Sequence, residues 1–235
     1  MALNLVVMGP PGAGKGTQAE RFAREHEIPK ISTGDILRDA VAAGTDLGRQ
    51  VKALMDRGDL VGDDLIIGIV KDRLSRPDAM RGFVLDGFPR TVPQARALDD
   101  ILADRGPLIV VEIRVPDEEL VQRVRTRRIC SSCGRTVSAF SSTGAAAEEC
   151  ASCGGNLVAR SDDGEGVVRD RLKVYWRETR PMSEFYQTRP TYRAVDGGQA
   201  PQRVRDALIG AVASALGKPA TELESFLAAR PESKA

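Results

Sequence analysis

The sequence has one histidine, His26, one tryptophan and only 4% aromatic residues. With a single histidine, neither a histidine-ligated metal centre nor a Ser/His triad can organise the chemistry. Flanked by Arg24, Glu25 and Glu27 on an expected helix, His26 reads as a surface residue. An excess of one charge is also missing, because 34 Lys and Arg face 33 Asp and Glu. No global field therefore recruits nucleic acid or an anionic membrane, although arginines can still cluster locally. The apolar start, Leu3 to Met8, lacks a basic lead-in and runs at once into Gly9-Pro10-Pro11-Gly12. It is too short for a signal peptide or a membrane span, and the expectation is a cytoplasmic enzyme. At 235 residues the chain is long enough to bury a real hydrophobic core.

What is present alternates. Leu3 to Met8 reads as a buried parallel strand, being short, almost continuously apolar and closed by glycine and proline. A helix follows from about Lys15, with Ala19, Phe22 and Ala23 on one face and Glu20, Arg21, Arg24 and Glu25 on the other. Gly82 to Leu85 and Leu108 to Ile113 fit central strands, and Tyr192 to Val195 a last one. The pattern implies an α/β doubly wound parallel sheet with helices on both faces. Two stretches break it. Residues 33–61 read as short polar helices punctuated by Gly34, Gly44, Gly48 and Gly58, a small helical insertion. Residues from about 128 to 163 are rich in Ser, Gly, Ala and Cys and cannot hold themselves by hydrophobic burial. After Gly217-Lys218-Pro219 a short helix through Leu223, Phe226 and Leu227 is expected, frayed at its end.

Gly9 to Thr17 lies between the first strand and the first helix, where successive backbone N–H groups and the positive helix end face one point. Such a point suits a polyphosphate. The glycines allow close backbone approach, Lys15 can bridge the outer phosphates and Thr17 can reach a bound magnesium. Gly16 stands where most such P-loops carry Ser or Thr, and the third glycine comes too early for a dinucleotide fingerprint. The four cysteines form two knuckles, Cys130-x-x-Cys133 and Cys150-x-x-Cys153, separated by sixteen residues. That is zinc-ribbon spacing, and four thiolates leave no open coordination position, so the metal would be structural. A pair of disulfides is the alternative, disfavoured in a cytoplasmic protein.

The glycine loop of form GxxGxGKGT is followed by Ile31-Ser32-Thr33-Gly34-Asp35, Leu37-Arg38, Phe83 to Arg90 and Gln94. In order and separation these motifs resemble the adenylate kinases, in the bacterial long-lid form with a four-cysteine zinc site. The resemblance implies transfer of the terminal phosphoryl group of ATP to AMP, giving two ADP, with magnesium and a structural zinc as cofactors. It assigns ATP binding to Gly12, Ala13, Gly14, Lys15, Gly16 and Thr17, and also to Arg123, Arg127, Thr136, Val137 and Gln199. It assigns the AMP phosphate to Arg38 and Arg90, the adenine to Thr33 and Gln94, and the pocket walls to Asp59, Leu60, Val61, Gly87, Phe88 and Pro89. Asp86 and Thr17 would form the magnesium environment, while Arg160 and Arg171 close on the phosphates near the AMP side. Lys15, Arg38, Arg90, Arg127, Arg160 and Arg171 would together neutralise the transferring group. No general base is needed, since the AMP phosphate is itself the nucleophile.

The implied organisation is a core of residues 1–32, 62–126 and 164–217, an AMP-binding insertion at 33–61, a zinc-containing lid at 127–163 and a tail at 218–235. The chain departs from the family in reading Arg135-Thr136-Val137 after Gly134, where a Tyr-His pair is usual. A kinase of UMP or CMP, or one using GTP, would share the fold. The rival from another class, a nucleic-acid-binding ATPase that uses the cysteine segment as its contact surface, is disfavoured because that segment lacks a basic, aromatic face. The expected partners are the nucleotides ATP, AMP and ADP, without nucleic acid or membrane, and the expected state is a monomer.

Overall fold

The computed structural model describes residues 2–138, 148–160 and 163–223. Phe226 and Leu227 of the expected tail helix lie outside them. Five strands, β1 (Leu3–Met8), β2 (Lys30–Ser32), β3 (Gly82–Asp86), β4 (Leu108–Arg114) and β8 (Tyr192–Asp196), form one sheet in the order β2-β3-β1-β4-β8. All its pairs are parallel, and Val6 sits opposite Leu85 on one side and Val110 on the other. Every residue of β1 is buried, because helices cover both faces of the sheet.

The two-residue period of the strands divides the core into two halves. Leu5, Val7, Ile109, Val111 and Ile113 point toward α1 (Lys15–Glu25) and α9 (Pro201–Ala215), where Phe22, Leu208 and Val212 meet them. Val6, Met8, Leu85 and Val110 point the other way, toward α4 (Asp63–Leu74), α5 (Val92–Ile101) and α8 (Arg180–Gln187). Truncating a fully buried member such as Leu5 to alanine costs about 2–5 kcal/mol. Leu223, in the short stretch after Gly217, is fully buried against the first half.

Residues 33–61 fold as expected into helices: α2 (Thr33–Ala42), capped by the Ser32 hydroxyl on the Asp35 N–H, and α3 (Asp46–Arg57), capped by the Thr45 hydroxyl on the Gly48 N–H. After α6 (Asp117–Arg125) the chain leaves the sheet and builds a separate antiparallel ribbon of β5 (Arg127–Cys130), β6 (Thr136–Ser138) and β7 (Leu157–Val158), in the order β6-β5-β7. It returns through α7 (Glu165–Val174) and a π-helical stretch, Tyr175–Thr179, into α8. Among the described residues no helix is long and apolar enough to cross a membrane.

His26 corrects the sequence reading. It is 8% exposed and packs edge-on against the Phe22 ring, with centroids 4.2 Å apart. Four residues beyond Phe22, it continues the buried stripe of α1 while its charged neighbours face away. Strand β2 was read only as part of a motif, because three residues cannot show a period. Glu112, counted within an apolar run, is a buried carboxylate. It accepts from Tyr192 Oη at 2.5 Å, Ser183 Oγ at 2.7 Å and Arg114 Nε at 2.8 Å. Burial alone would raise its pKa, but these donors outweigh that and hold it below the ordinary 4.5.

Candidate active site

The glycine loop leaves β1 and enters α1 through Gly12 and Gly14, each with φ near +88°, where side-chain-bearing residues are strained. Gly14 occupies the N-cap position, and among the described residues no side chain caps the helix. Its first N–H groups are thus left for an external anion. Lys15 Nζ donates to the Pro10 carbonyl at 2.9 Å. Burial lowers the Lys15 pKa to about 8, against the pull of Asp86 and with help from Arg90, Arg171 and Arg127. A lysine depressed chiefly by burial, with three guanidinium groups against one carboxylate around it, marks a place where an anion is favoured.

Asp86 ends β3 beside the loop, and a Cβ at Gly16 would lie 3.2 Å from its Oδ2. The unusual Gly16 therefore gives the strand-end carboxylate room to approach the loop. Thr17 is exposed on the first turn of α1. An acidic strand end and a hydroxyl next to a phosphate-binding loop are oxygen ligands of the type magnesium takes with nucleotide phosphates.

Two clefts open over the carboxyl ends of the strands, where an open α/β sheet binds ligands. The first, about 550 Å³, is walled by Gly9, Pro11, Lys15, Pro89, Tyr175 and Thr179. The second, about 590 Å³, is walled by Thr33, Leu37, Arg38, Asp59, Leu60, Val61 and Gln94. Gly58, Leu60, Gly87, Arg90 and Arg171 belong to both, so the clefts meet on a pair of arginines. Thr33 Oγ1 donates to the Gly87 carbonyl at 2.9 Å and Arg90 Nε to the same oxygen at 2.8 Å, which joins α2 to the turn after β3. Arg38 pairs with Asp35. Burial would raise the Asp35 pKa, but Arg38 and Lys30 hold it at about 2. Arg171 crosses Gly58 so closely that a Cβ there would lie 2.6 Å from its Cγ. Phe88 turns its ring into the core and lines neither cleft.

Arg127 and Arg171 are tied together by a carboxylate, Asp163, that the sequence does not single out. Asp163 accepts from both Nε and Nη2 of Arg127, a bidentate pair on one guanidinium edge with Nε to Oδ2 at 2.7 Å, and Arg171 Nη1 approaches Oδ1 at 3.5 Å. The Asp163 side chain is 5% exposed, and its role was hidden because its partners lie 36 and 8 residues away. Arg127 and Arg160 do not line either cleft; Arg160 is half-buried and its carbonyl accepts the Asp163 N–H at 3.2 Å. Arg123 donates to the Gly197 carbonyl at 2.9 Å and to Glu119, beside the turn where Gln199 donates to Asp196 at 3.2 Å. Thr136 and Val137 sit half-buried on β6, away from both clefts.

The four cysteine sulfurs lie within 4.8 Å of one another. Cys130 and Cys153 Sγ are 3.4 Å apart, and Cys133 and Cys150 Sγ 3.8 Å. Four thiolates around zinc at about 2.3 Å have an edge of about 3.8 Å, so the donor set fits a tetrahedral ion. The knuckles are built alike. In each, the glycine after the second cysteine donates to the first cysteine's carbonyl, and the first cysteine's N–H bonds five residues on, to Arg135 in one and Gly155 in the other. Gly155 was not foreseen as necessary; a Cβ there would stand 2.8 Å from Cys130 Sγ.

With this geometry in place, the chain can be set beside known proteins. The family model described as adenylate kinase matches residues 7–191. A curated adenylate kinase of Archaeoglobus fulgidus is 48% identical over 197 residues, which is 83% of this chain and 91% of that protein. One from Geobacillus sp. is 48% identical over 204 residues, 86% and 94% of the two chains. One from Desulforudis audaxviator is 46% identical over 212 residues, 89% and 99%.

Proposed function

The chain belongs to the adenylate kinase family, and from that premise we propose how its own residues carry the magnesium-dependent transfer of a phosphoryl group from ATP to AMP. The observation that carries the assignment is the shared wall: the loop cleft and the α2–α3 cleft meet along Gly58, Leu60, Gly87, Arg90 and Arg171, and the two arginines are the charged groups of that wall. Two phosphates seated in the two clefts face each other across guanidinium groups that cannot lose their charge.

In this reading the loop from Gly12 to Thr17 holds the donor phosphates on backbone N–H groups, with Lys15 on the outer ones. Arg38 and Arg90 hold the AMP phosphate, Thr33 and Gln94 face its base, and Asp59 to Val61 form the pocket wall. Asp86 and Thr17 would hold magnesium brought with ATP, which would supply charge neutralisation at the phosphates. The protein positions and screens; the acceptor phosphate attacks without a base.

Residues 127–163 act as the lid and residues 33–61 as the AMP-binding insertion, both carried on the core of residues 1–32, 62–126 and 164–217. Closure delivers Arg127, Arg160 and Arg123 from the lid's edge to the donor and excludes water that would hydrolyse ATP. Asp163 keeps Arg127 and Arg171 gathered for that step. Cys130, Cys133, Cys150 and Cys153 hold zinc, which gives the lid ribbon a stability its sparse core cannot. The enzyme works as a cytoplasmic monomer. Initial rates with ATP and a panel of AMP, UMP, CMP and GMP test the reading, which predicts a strong preference for AMP; preference for UMP or CMP would refute it.

A further inference from the structure

Gln94 is 2% exposed, and both ends of its side-chain amide are held. Its Nε2 donates to Asp63 Oδ1 at 2.7 Å, and its Oε1 accepts from the Arg90 backbone N–H at 2.8 Å. Asp63 stands at the first turn of α4, on a different element, and its other oxygen accepts from Thr91 Oγ1 at 3.0 Å. That hydroxyl in turn accepts the Gln94 backbone N–H at 3.3 Å and caps α5. An ionised carboxylate only accepts and a backbone N–H only donates, so the amide has one allowed orientation. Inverting it would set oxygen against oxygen and N–H against N–H, in a place where water cannot repair the loss.

We propose that Asp63 is a positioning residue that fixes the orientation of the Gln94 amide and thereby makes the acceptor site choose a 6-aminopurine over a 6-oxopurine. The inference rests on the reading that Gln94 faces the acceptor base. With one N–H spent on Asp63 and one lone pair on Arg90, the amide keeps one N–H and one lone pair for the cleft it lines. A 6-aminopurine offers a donor at its amino group and an acceptor at N1, which matches. A 6-oxopurine seated in the same pose, with amide oxygen toward position 6 and amide N–H toward N1, offers an acceptor at O6 and a donor at N1, the reverse pattern, which sets like against like at a fixed amide.

The test compares AMP and IMP as acceptors, with ATP as donor, in the wild type and in Asp63→Ala, Asp63→Asn and Gln94→Ala, with melting temperatures measured alongside. Asp63→Ala should raise KM for AMP about tenfold, change kcat less than about threefold and narrow the AMP-over-IMP preference about tenfold. Asp63→Asn should restore both values, because its carbonyl still accepts from Gln94 while its nitrogen donates to Thr91. Asp63→Ser, too short to reach Gln94, gives the alanine readout if the alanine variant does not fold. An unchanged preference in Asp63→Ala, when Gln94→Ala has weakened it, overturns the inference and leaves the reading of Gln94 standing. So does an asparagine variant that behaves like alanine, since charge and not an acceptor would then be at work. An unchanged KM and preference in Gln94→Ala instead overturns the reading of Gln94, and the inference with it.

Discussion

Replacing Lys15 with methionine should stabilise the ligand-free protein while abolishing its activity. The variant keeps an unbranched stem of similar length and removes the ammonium. Burial, with Arg90, Arg171 and Arg127 close by, lowers Lys15 from 10.5 to about 8, so holding its charge at pH 7 costs the fold up to about 3 kcal/mol. Losing the hydrogen bond to the Pro10 carbonyl takes back about 1 kcal/mol. A net gain of about 1–2 kcal/mol corresponds to about 3–6 °C in a chain of this size. Between pH 8 and 10.5 the unfolded chain holds the lysine proton more tightly than the folded one, so wild-type stability rises with pH across that window. The variant's advantage should therefore be full at pH 7 and shrink toward pH 10. Calorimetry of both ligand-free proteins at several pH values measures this, and turnover should fall by about a hundredfold or more. A variant that melts at or below the wild type at pH 7, or whose advantage ignores pH, would show that the Lys15 charge does not destabilise the fold.

Arg90→Ala should cut turnover by about two orders of magnitude or more, with an unchanged circular dichroism spectrum, because Arg90 borders both clefts; near-normal kinetics would contradict its role. Cys150→Ser should leave the protein without stoichiometric zinc and lower both melting temperature and turnover, read by metal analysis, calorimetry and rates on one sample. Glu112→Gln should cost about 1–3 kcal/mol at pH 7 by disturbing the donors from Tyr192, Ser183 and Arg114. Because the folded pKa of Glu112 lies below 4.5, its contribution is present above that value and is lost as pH falls through the folded pKa. The gap in melting temperature between the two proteins should narrow in acid.

The sequence made the parts that rely on short-range rules easy to read. Leu3 to Met8 announced itself as a doubly covered strand because both faces are apolar, and the run Gly9 to Thr17 announced its turn because only glycine tolerates the φ it needs. The cysteine spacing carried the ribbon for the same reason: each knuckle closes within six residues, Cys130 to Arg135 and Cys150 to Gly155. What stayed hidden depends on partners distant in sequence. Asp163 means little until Arg127 and Arg171 converge on it, and Asp63 only becomes informative when α4 meets α5 at Gln94. Glu112, inside the run Leu108 to Ile113, gains its meaning only when β8 and α8 bring it a hydroxyl each. His26 was misjudged because charged neighbours in sequence were weighed above its helical spacing from Phe22.

The proposed meeting of two phosphates across Arg90 and Arg171, one from each cleft, has a direct signature in the fate of the transferred group. Its most direct test is a single-turnover measurement with γ-labelled ATP, AMP and magnesium, following the label into products. Label should appear in ADP formed from AMP, with two ADP for each ATP consumed and little free phosphate. Label released as inorganic phosphate at the same rate with or without AMP would contradict it.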